Sequence, residues 1–114
     1  VKFMFPNKFN IYLHDTPSRQ LFASTGRAFS HGCIRVHEAE VFAEKLMGLD
    51  RGMTKDEIDA IVAYGELKRI NLKQKVPVHL AYFTVWIGDD GVVQFFPDIY
   101  SRDRPVAQIL FGQS

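Results

Sequence analysis

Alternation of apolar and polar residues near the start of the chain predicts a β-strand. Every second residue from Phe9 to Leu13 is apolar, and the pattern continues to His14, which is the period of a half-buried strand. Turn-forming residues at 15–18 (Asp-Thr-Pro-Ser) end the pattern. Residues 18–22 are then predicted to form one short helical turn.

Helical spacing of apolar side chains predicts two helices in the middle of the chain. The first runs from His37 to about Met47, and Gly48 is placed to end it. The second follows Thr54, because Thr54 and Glu57 have the spacing of a capping box. We expect this second helix to end near residues 64–65, Tyr-Gly.

The last third of the chain has the composition of a β-hairpin. Residues 77–87 are rich in β-branched and aromatic side chains and almost wholly apolar in the centre, which predicts a strand buried on both faces. The run 89–91, Asp-Asp-Gly, is a hairpin signal, and 92–96 is the predicted returning strand.

The remaining segments complete a mixed fold. Residues 69–72 are predicted as a short strand, and the tail after Pro97 as polar and irregular until 106–111. Strands and helices are segregated along the sequence, so the predicted fold class is mixed α/β of the α+β type.

Composition limits the function classes. The chain has 114 residues, ten of them phenylalanine, and a formal net charge of +1, which fits a globular domain or part of one. So small a charge offers no bulk attraction for nucleic acid. No apolar run is long enough to cross a membrane, and no signal peptide is present in this stretch.

The chemically suggestive residues lie between residues 14 and 35. Ser30-His31-Gly32-Cys33-Ile34-Arg35 contains the only cysteine of the chain, and His14 precedes it at the end of the predicted strand. A free thiol is mostly protonated at neutral pH, so a cysteine nucleophile needs a neighbouring base or cation. His14 can be that base if the intervening loop folds back. Backbone N–H groups near Gly32 can stabilise an oxyanion, because glycine leaves the backbone accessible.

His14 followed by the segment 30–35 resembles the signature of the YkuD-type L,D-transpeptidases. The runs 10–17 (Asn-Ile-Tyr-Leu-His-Asp-Thr-Pro) and 95–100 (Phe-Phe-Pro-Asp-Ile-Tyr) are similar to the YcbB-like branch of that family. The resemblance extends from about Phe3 to about Asp103.

The resemblance implies a peptidoglycan cross-linking enzyme of the bacterial periplasm or cell envelope, without a cofactor and inhibited by carbapenems. In such an enzyme Cys33 would attack a tetrapeptide donor stem and release D-alanine, and the amine of an acceptor stem would resolve the acyl-enzyme. The resemblance makes His14 the proton shuttle, with its ring oriented by the carbonyl of Asp15. It places His31 and Gly32 with Cys33 in the oxyanion segment. Ser30 is expected as a supporting turn serine that bonds its own backbone, and Arg35 as a residue that contacts substrate or supports the loop.

The same resemblance implies that residues 1–114 are part of one catalytic domain, a β-sandwich or mixed sheet with flanking helices whose N-terminal strands precede Val1. Two alternatives stay open. A zinc-dependent cell-wall hydrolase would use His14, His31, Cys33 and His37 as ligands, although the one-residue gap between His31 and Cys33 is unlike common zinc motifs. A non-catalytic wall-binding module would keep the fold without the chemistry.

Overall fold

A computed structural model describes residues 1–30 and 32–112 of the chain. The chain forms two compact units, Val1–Val78 and His79–Ser114. It contains both strands and helices, so the predicted mixed α/β class is confirmed. No helix in the described ranges is long and apolar enough to span a bilayer.

The first unit combines a small sheet with two helices. The sheet has the strand order β1-β2-β3, with β1 antiparallel and β3 parallel to the central strand β2. Its elements are β1 (Lys2–Phe3), β2 (Leu13–His14), a 3₁₀ helix (Arg19–Ala23), β3 (Ile34–Arg35), α1 (Ala39–Arg51) and α2 (Lys55–Tyr64). The buried apolar residues of the described chain, Ala39, Met47 and Ile58, all lie on the two helices.

The predicted strand over residues 9–14 is shorter than the apolar pattern suggested. Only Leu13 and His14 pair with neighbours, because the Asn7 side chain holds the preceding residues in a loop. Its Oδ1 accepts from the N–H groups of Phe9 and Ile11, each at 3.0 Å, and its Nδ2 donates to the Ile11 carbonyl at 2.7 Å. These local bonds replace strand pairing.

Helix α1 continues beyond the predicted end at Gly48. The helix ends at Gly52, which adopts a left-handed conformation at φ 68° and donates its N–H to the Gly48 carbonyl at 2.9 Å. Both glycines suit a helix end by type, but only Gly52 has the positive φ that a left-handed cap requires. The capping box predicted for α2 is confirmed: Thr54 Oγ1 accepts from the Glu57 N–H, and the Glu57 carboxylate accepts from the Thr54 N–H.

The predicted strand over residues 69–72 is absent, and the segment is instead tied to the end of α1. The Arg51 guanidinium donates to the Asn71 carbonyl at 2.5 Å, and the Asp50 carboxylate accepts from the Gln74 N–H at 3.0 Å. These bonds satisfy backbone groups without a neighbouring strand.

The second unit is a hairpin followed by a helix. Its elements are β4 (Val85–Ile87), β5 (Val93–Phe95) and α3 (Asp103–Phe111), and β4 pairs antiparallel with β5. The predicted strand over 77–87 is therefore too long. The prediction of burial on both faces is also wrong, because every residue of β4 is exposed. Each strand of a two-stranded hairpin has only one neighbouring strand, and this leaves its faces less covered than those of a central strand. The apolar composition of residues 77–87 does not show how many strands lie beside them.

The tail after Pro97 is irregular as predicted to residue 102, and helix α3 then begins at Asp103, three residues before the end predicted for the irregular stretch. Its first turn is organised by Asp98, whose carboxylate accepts from the N–H groups of Arg102 and Asp103 at 2.9 and 2.8 Å and from the Tyr82 hydroxyl at 2.5 Å. The hydroxyl of Tyr82 and these N–H groups lower the pKa of the Asp98 carboxyl. Pro105 is accommodated in the first turn, where its missing N–H removes no helical bond.

Candidate active site

The parallel pairing of β2 with β3 brings the two chemically suggestive motifs together. In the register of these strands, Leu13 lies opposite Ile34 and His14 opposite Arg35. The Ile34 N–H donates to the Tyr12 carbonyl at 3.1 Å, and the Val36 N–H donates to the His14 carbonyl at 2.8 Å. The intervening loop therefore folds back, as the assignment of His14 as the base required.

The two faces of the sheet have different surroundings. Phe3, Leu13 and Ile34 share one face by register, and the Phe3 ring packs against Phe42 of α1 with centroids 4.8 Å apart. The other face carries Lys2, His14 and Arg35, one residue from each strand. Tyr12 and Cys33 each lie two residues before a member of this row and just outside the paired residues. Their side chains would share this face if the strand alternation continued to them.

The imidazole of His14 is held by its own backbone neighbourhood. Its Nδ1 lies 2.6 Å from the Asp15 carbonyl oxygen. A carbonyl oxygen only accepts hydrogen bonds, so Nδ1 is the donor in this contact, and Nε2 is the ring nitrogen that remains for a second partner. The contact between His14 and the Asp15 carbonyl is the one that the family resemblance implied. The Tyr12 ring contacts the imidazole edge-on, with centroids 5.7 Å apart.

The Asp15 carbonyl is itself fixed by the turn that follows β2. The Asp15 N–H donates to the Val1 carbonyl at 3.0 Å, and the Asp15 carboxylate accepts from the Thr16 N–H at 2.7 Å. Thr16 is only 6% exposed, and its hydroxyl accepts from the Ser18 N–H at 3.1 Å. This hydrogen-bonded turn fixes the position of the Asp15 carbonyl, and the carbonyl in turn orients the His14 imidazole.

The segment before Cys33 is shaped by Ser30 and Gly32. The Ser30 hydroxyl donates to the Cys33 carbonyl at 2.6 Å, while the Gly32 N–H lies 3.4 Å from the same hydroxyl oxygen. Gly32 has a φ of 154°, and a Cβ placed on it would lie 3.2 Å from both Cγ1 and Cδ1 of Ile11. Ser30 thus bonds local backbone, as its turn role predicts. His31 lies outside the described residues.

Cys33 is half-buried and directly precedes β3. If the geometry of β3 continued to Cys33, ideal strand spacings would put its Cα roughly 8 Å from that of His14, on the same face of the sheet. Consecutive backbone N–H groups of an extended chain point to opposite sides. Because the Ile34 N–H points to β2, an extended Cys33 would direct its N–H away from β2, toward the open edge of the three-stranded sheet.

Arg35 stands beside His14 and has no acidic partner nearby. Within residues 1–30 and 32–112, no carboxylate lies within 4 Å of the Arg35 guanidinium or of the Lys2 ammonium, since the ion pairs found there are Arg51–Asp50 and Lys55–Asp59. The positive charges of Lys2 and Arg35 on this face of the sheet are therefore not paired with a carboxylate of the described residues.

The residues considered as zinc ligands are not grouped in the described part of the chain. No cluster of three or more histidine, cysteine or acidic side chains there has the geometry to hold a metal ion. His37 instead contacts Phe22 edge-on, with ring centroids 5.1 Å apart.

Two residues of the site were missed by the sequence analysis. Tyr12 shares the face of His14, and the alternation from residue 9 to residue 14 contained that signal. Lys2 had no such signal, because it joins the site only through the pairing of β1 with β2. The Nζ of Lys2 lies 5.1 Å from the centroid of the Tyr12 ring.

Comparison with known proteins gives consistent matches. A family model described as "L,D-transpeptidase catalytic domain", YkuD, matches residues 1–78. A Haemophilus influenzae protein named "Putative L,D-transpeptidase" is 37% identical over 105 residues, which are 92% of this chain and 21% of that protein. The chain thus spans about a fifth of the length of the curated relative that it matches.

Proposed function

The chain belongs to the YkuD family of L,D-transpeptidase catalytic domains, and from that membership we propose that it cross-links peptidoglycan stem peptides through a thioester on Cys33. The observation that carries this proposal is the parallel pairing of β2 with β3. It brings the segment that follows Cys33 next to His14, whose Nδ1 lies 2.6 Å from the Asp15 carbonyl oxygen, and this supports the pairing of His14 with Cys33.

In the first half-reaction, Nε2 of His14 accepts the thiol proton as the sulfur of Cys33 attacks the carbonyl after the third residue of a donor tetrapeptide. The carbon–sulfur bond forms and the carbonyl becomes an oxyanion. Collapse breaks the carbon–nitrogen bond, and the imidazolium returns its proton to the departing D-alanine amine. The product is a thioester on Cys33.

The oxyanion is stabilised by backbone N–H groups of the segment that ends at Cys33. The direction of the Cys33 N–H, away from β2, supports this assignment, because a donor engaged in the ladder would not be free. We assign Gly32 and His31 to the same segment. Ser30 holds the Cys33 carbonyl, and with it the orientation of the peptide unit that follows the nucleophile.

In the second half-reaction, the side-chain amine of an acceptor stem attacks the thioester. His14 removes a proton from the attacking amine and returns one to the thiolate as it leaves, so the enzyme is regenerated and an amide cross-link has formed. Arg35, beside His14 in the register, contacts the substrate. No step of this scheme requires a cofactor.

The setting follows from this chemistry. The substrates are stem peptides of the bacterial wall, so the enzyme acts in the periplasm or cell envelope. We also assign residues 79–112 to the same catalytic domain as residues 1–78. Support comes from the curated relative, whose match of 105 residues is longer than the stretch covered by the family model.

Intact-mass measurement after incubation with a carbapenem tests the nucleophile. The β-lactam ring opens on a thiol without a leaving group, so the expected product is the protein plus one whole carbapenem. Cys33→Ser should give no adduct at the same exposure, because a serine hydroxyl is far less nucleophilic than a thiolate.

A second variant separates the base from the nucleophile. His14→Asn should slow adduct formation by on the order of a hundredfold, the usual contribution of a general base. The Cys33 thiol of this variant should still react with a thiol reagent when the protein is denatured. His37→Asn is the matched control, because His37 packs against Phe22 rather than facing the row. An adduct on Cys33→Ser at the wild-type rate would contradict the proposal.

A further inference from the structure

A row of three basic side chains crosses the sheet at one register position. Lys2 of β1 lies opposite His14 of β2, and His14 lies opposite Arg35 of β3. Adjacent strands are separated by about 4.8 Å, so the row extends over roughly 10 Å between the outer Cα atoms. His14 and Arg35 have roles in the proposed reaction, whereas Lys2 has none.

The position of the Lys2 ammonium is defined by an aromatic ring. Its Nζ lies 5.1 Å from the centroid of Tyr12, within the range of a cation–π contact. Tyr12 in turn contacts the His14 ring. The Lys2 ammonium is thus held next to the aromatic ring that contacts His14, although the residue remains exposed.

The charge of Lys2 is available to a ligand. The residue is exposed, and in the described part of the chain no carboxylate lies within ion-pair distance of it or of Arg35. The nearby Asp15 carboxylate accepts the Thr16 N–H. Two cations that lie on opposite sides of His14, neither paired with a carboxylate of the described residues, favour an anionic substrate.

We propose that Lys2 binds a carboxylate of the donor stem peptide and is a specificity-determining residue of the site. The inference rests on the proposed function for the identity of the peptide. Arg35 and Lys2 lie on opposite sides of His14, so they engage different parts of the bound stem. A lysine ammonium suits this role because it pairs with a carboxylate as a point charge without requiring a fixed bidentate geometry.

Two carboxylates of a tetrapeptide stem have the required chemistry. One is the terminal carboxylate of the leaving D-alanine, and the other is the side-chain carboxylate of a diaminopimelate at the third position. A peptide with a C-terminal carboxamide removes the first, and a peptide with lysine at the third position removes the second. The two peptides therefore distinguish the sources.

The test measures dissociation constants of these peptides for protein that carries Cys33→Ser, so that binding is read without turnover. Lys2→Met keeps the aliphatic stem over Tyr12 and removes the charge, whereas Lys2→Arg keeps the charge. Lys8→Met is the matched control, because the Lys8 Nζ lies 5.3 Å from the Phe9 ring centroid and its loss changes the net charge equally.

Lys2→Met should weaken binding of the parent tetrapeptide by about three- to tenfold, the range for an accessible charge pair with a hydrogen bond. Lys2→Arg and Lys8→Met should stay within about twofold. The peptide that lacks the relevant carboxylate should bind the protein with Lys2 and the Lys2→Met variant equally.

Equal weakening of every peptide by Lys2→Met would overturn the proposal, since it would mean that Lys2 only braces Tyr12. Unchanged binding of the parent peptide, or no peptide binding before Lys2 is changed, would overturn it as well. Failure of the proposed function would give a different result. Peptide binding would still depend on the Lys2 charge, but the unsubstituted protein would form no thioester on Cys33.

Discussion

Substitution of Gly32 by alanine should damage the site while the same change at Gly26 should not. A Cβ at Gly32 would lie 3.2 Å from both Cγ1 and Cδ1 of Ile11, and the φ of 154° is one that side-chain-bearing residues rarely adopt. Gly26 lies in the same loop, has no such φ, and has nothing within 4 Å of the position of a Cβ. The two substitutions therefore differ in strain and not in chemistry.

The cost at Gly32 combines backbone strain with a close contact. A residue held in a sparsely populated conformation costs about 1–3 kcal/mol, and the contact lies inside the usual carbon–carbon optimum of about 3.5–4.0 Å. The Ile11 backbone is held, because its N–H and carbonyl are both bonded to the Asn7 side chain, so relief requires rotation of the Ile11 side chain or a shift of the loop at Gly32. We expect Gly32→Ala to cost about 2 kcal/mol, which lowers Tm by about 10 °C in a domain of this size.

Catalysis should suffer more than stability. Gly32 directly precedes the nucleophile, so relief of the contact moves Cys33 relative to His14. A displacement of about 1 Å can reduce a rate by on the order of a hundredfold. The assay is the rate of acyl-enzyme formation by intact mass, together with thermal unfolding, for both alanine variants. Gly26→Ala should match the parent within about 0.5 kcal/mol.

A second substitution separates the two sources of strain. Ile11→Ala deletes both atoms that meet the added Cβ, so it should restore part of the lost rate when it is combined with Gly32→Ala. No restoration would assign the whole effect to the backbone conformation. Identical rates and Tm values for Gly32→Ala and Gly26→Ala would refute the reasoning.

Three further outcomes are expected. Thr54→Ala should cost about 1 kcal/mol by removing the capping box of α2, measured by chemical denaturation against Thr25→Ala in an exposed loop; equal effects would contradict the cap. Asp98 has a lowered pKa, so its contribution is complete above its unfolded value of about 3.9 and is lost as pH falls through the folded value. Protection of α3 against hydrogen exchange should therefore fall below about pH 4, and this dependence should vanish in Asp98→Asn. Elemental analysis should find no stoichiometric zinc, and about one zinc per chain that is lost on changing Cys33 would favour the hydrolase alternative.

Local signals in the sequence were enough for the elements whose ends are set by neighbouring residues. The capping box of α2 depends on side chains three positions apart, so Thr54 and Glu57 identified the helix start without tertiary information. The same holds for the turn after His14 and for the hairpin turn before β5. Either Gly48 or Gly52 could have ended α1, and the apolar pattern predicted Gly48. The sequence does not show which glycine has a positive φ, so the actual cap at Gly52 was not predicted.

Strand lengths and burial were not decided locally. The apolar run at 77–87 was expected to lie between two covering layers, yet Trp86 at its end is 53% exposed. The apolar composition of a segment records its tendency to leave water, whereas burial depends on which other elements are adjacent. The Asn7 bonds that end the strand pattern before Leu13 likewise required the folded loop.

The sequence by itself determined the chemistry available to the site: one thiol, a histidine at the end of a strand pattern, and a glycine before the nucleophile. Only the tertiary structure decided which side chains meet there. The register of β1 and β3 against β2 places Lys2, His14 and Arg35 in one row, although they are far apart along the chain. A shift of one residue in either pairing would send a member of that row to the opposite face, because side chains alternate along a strand.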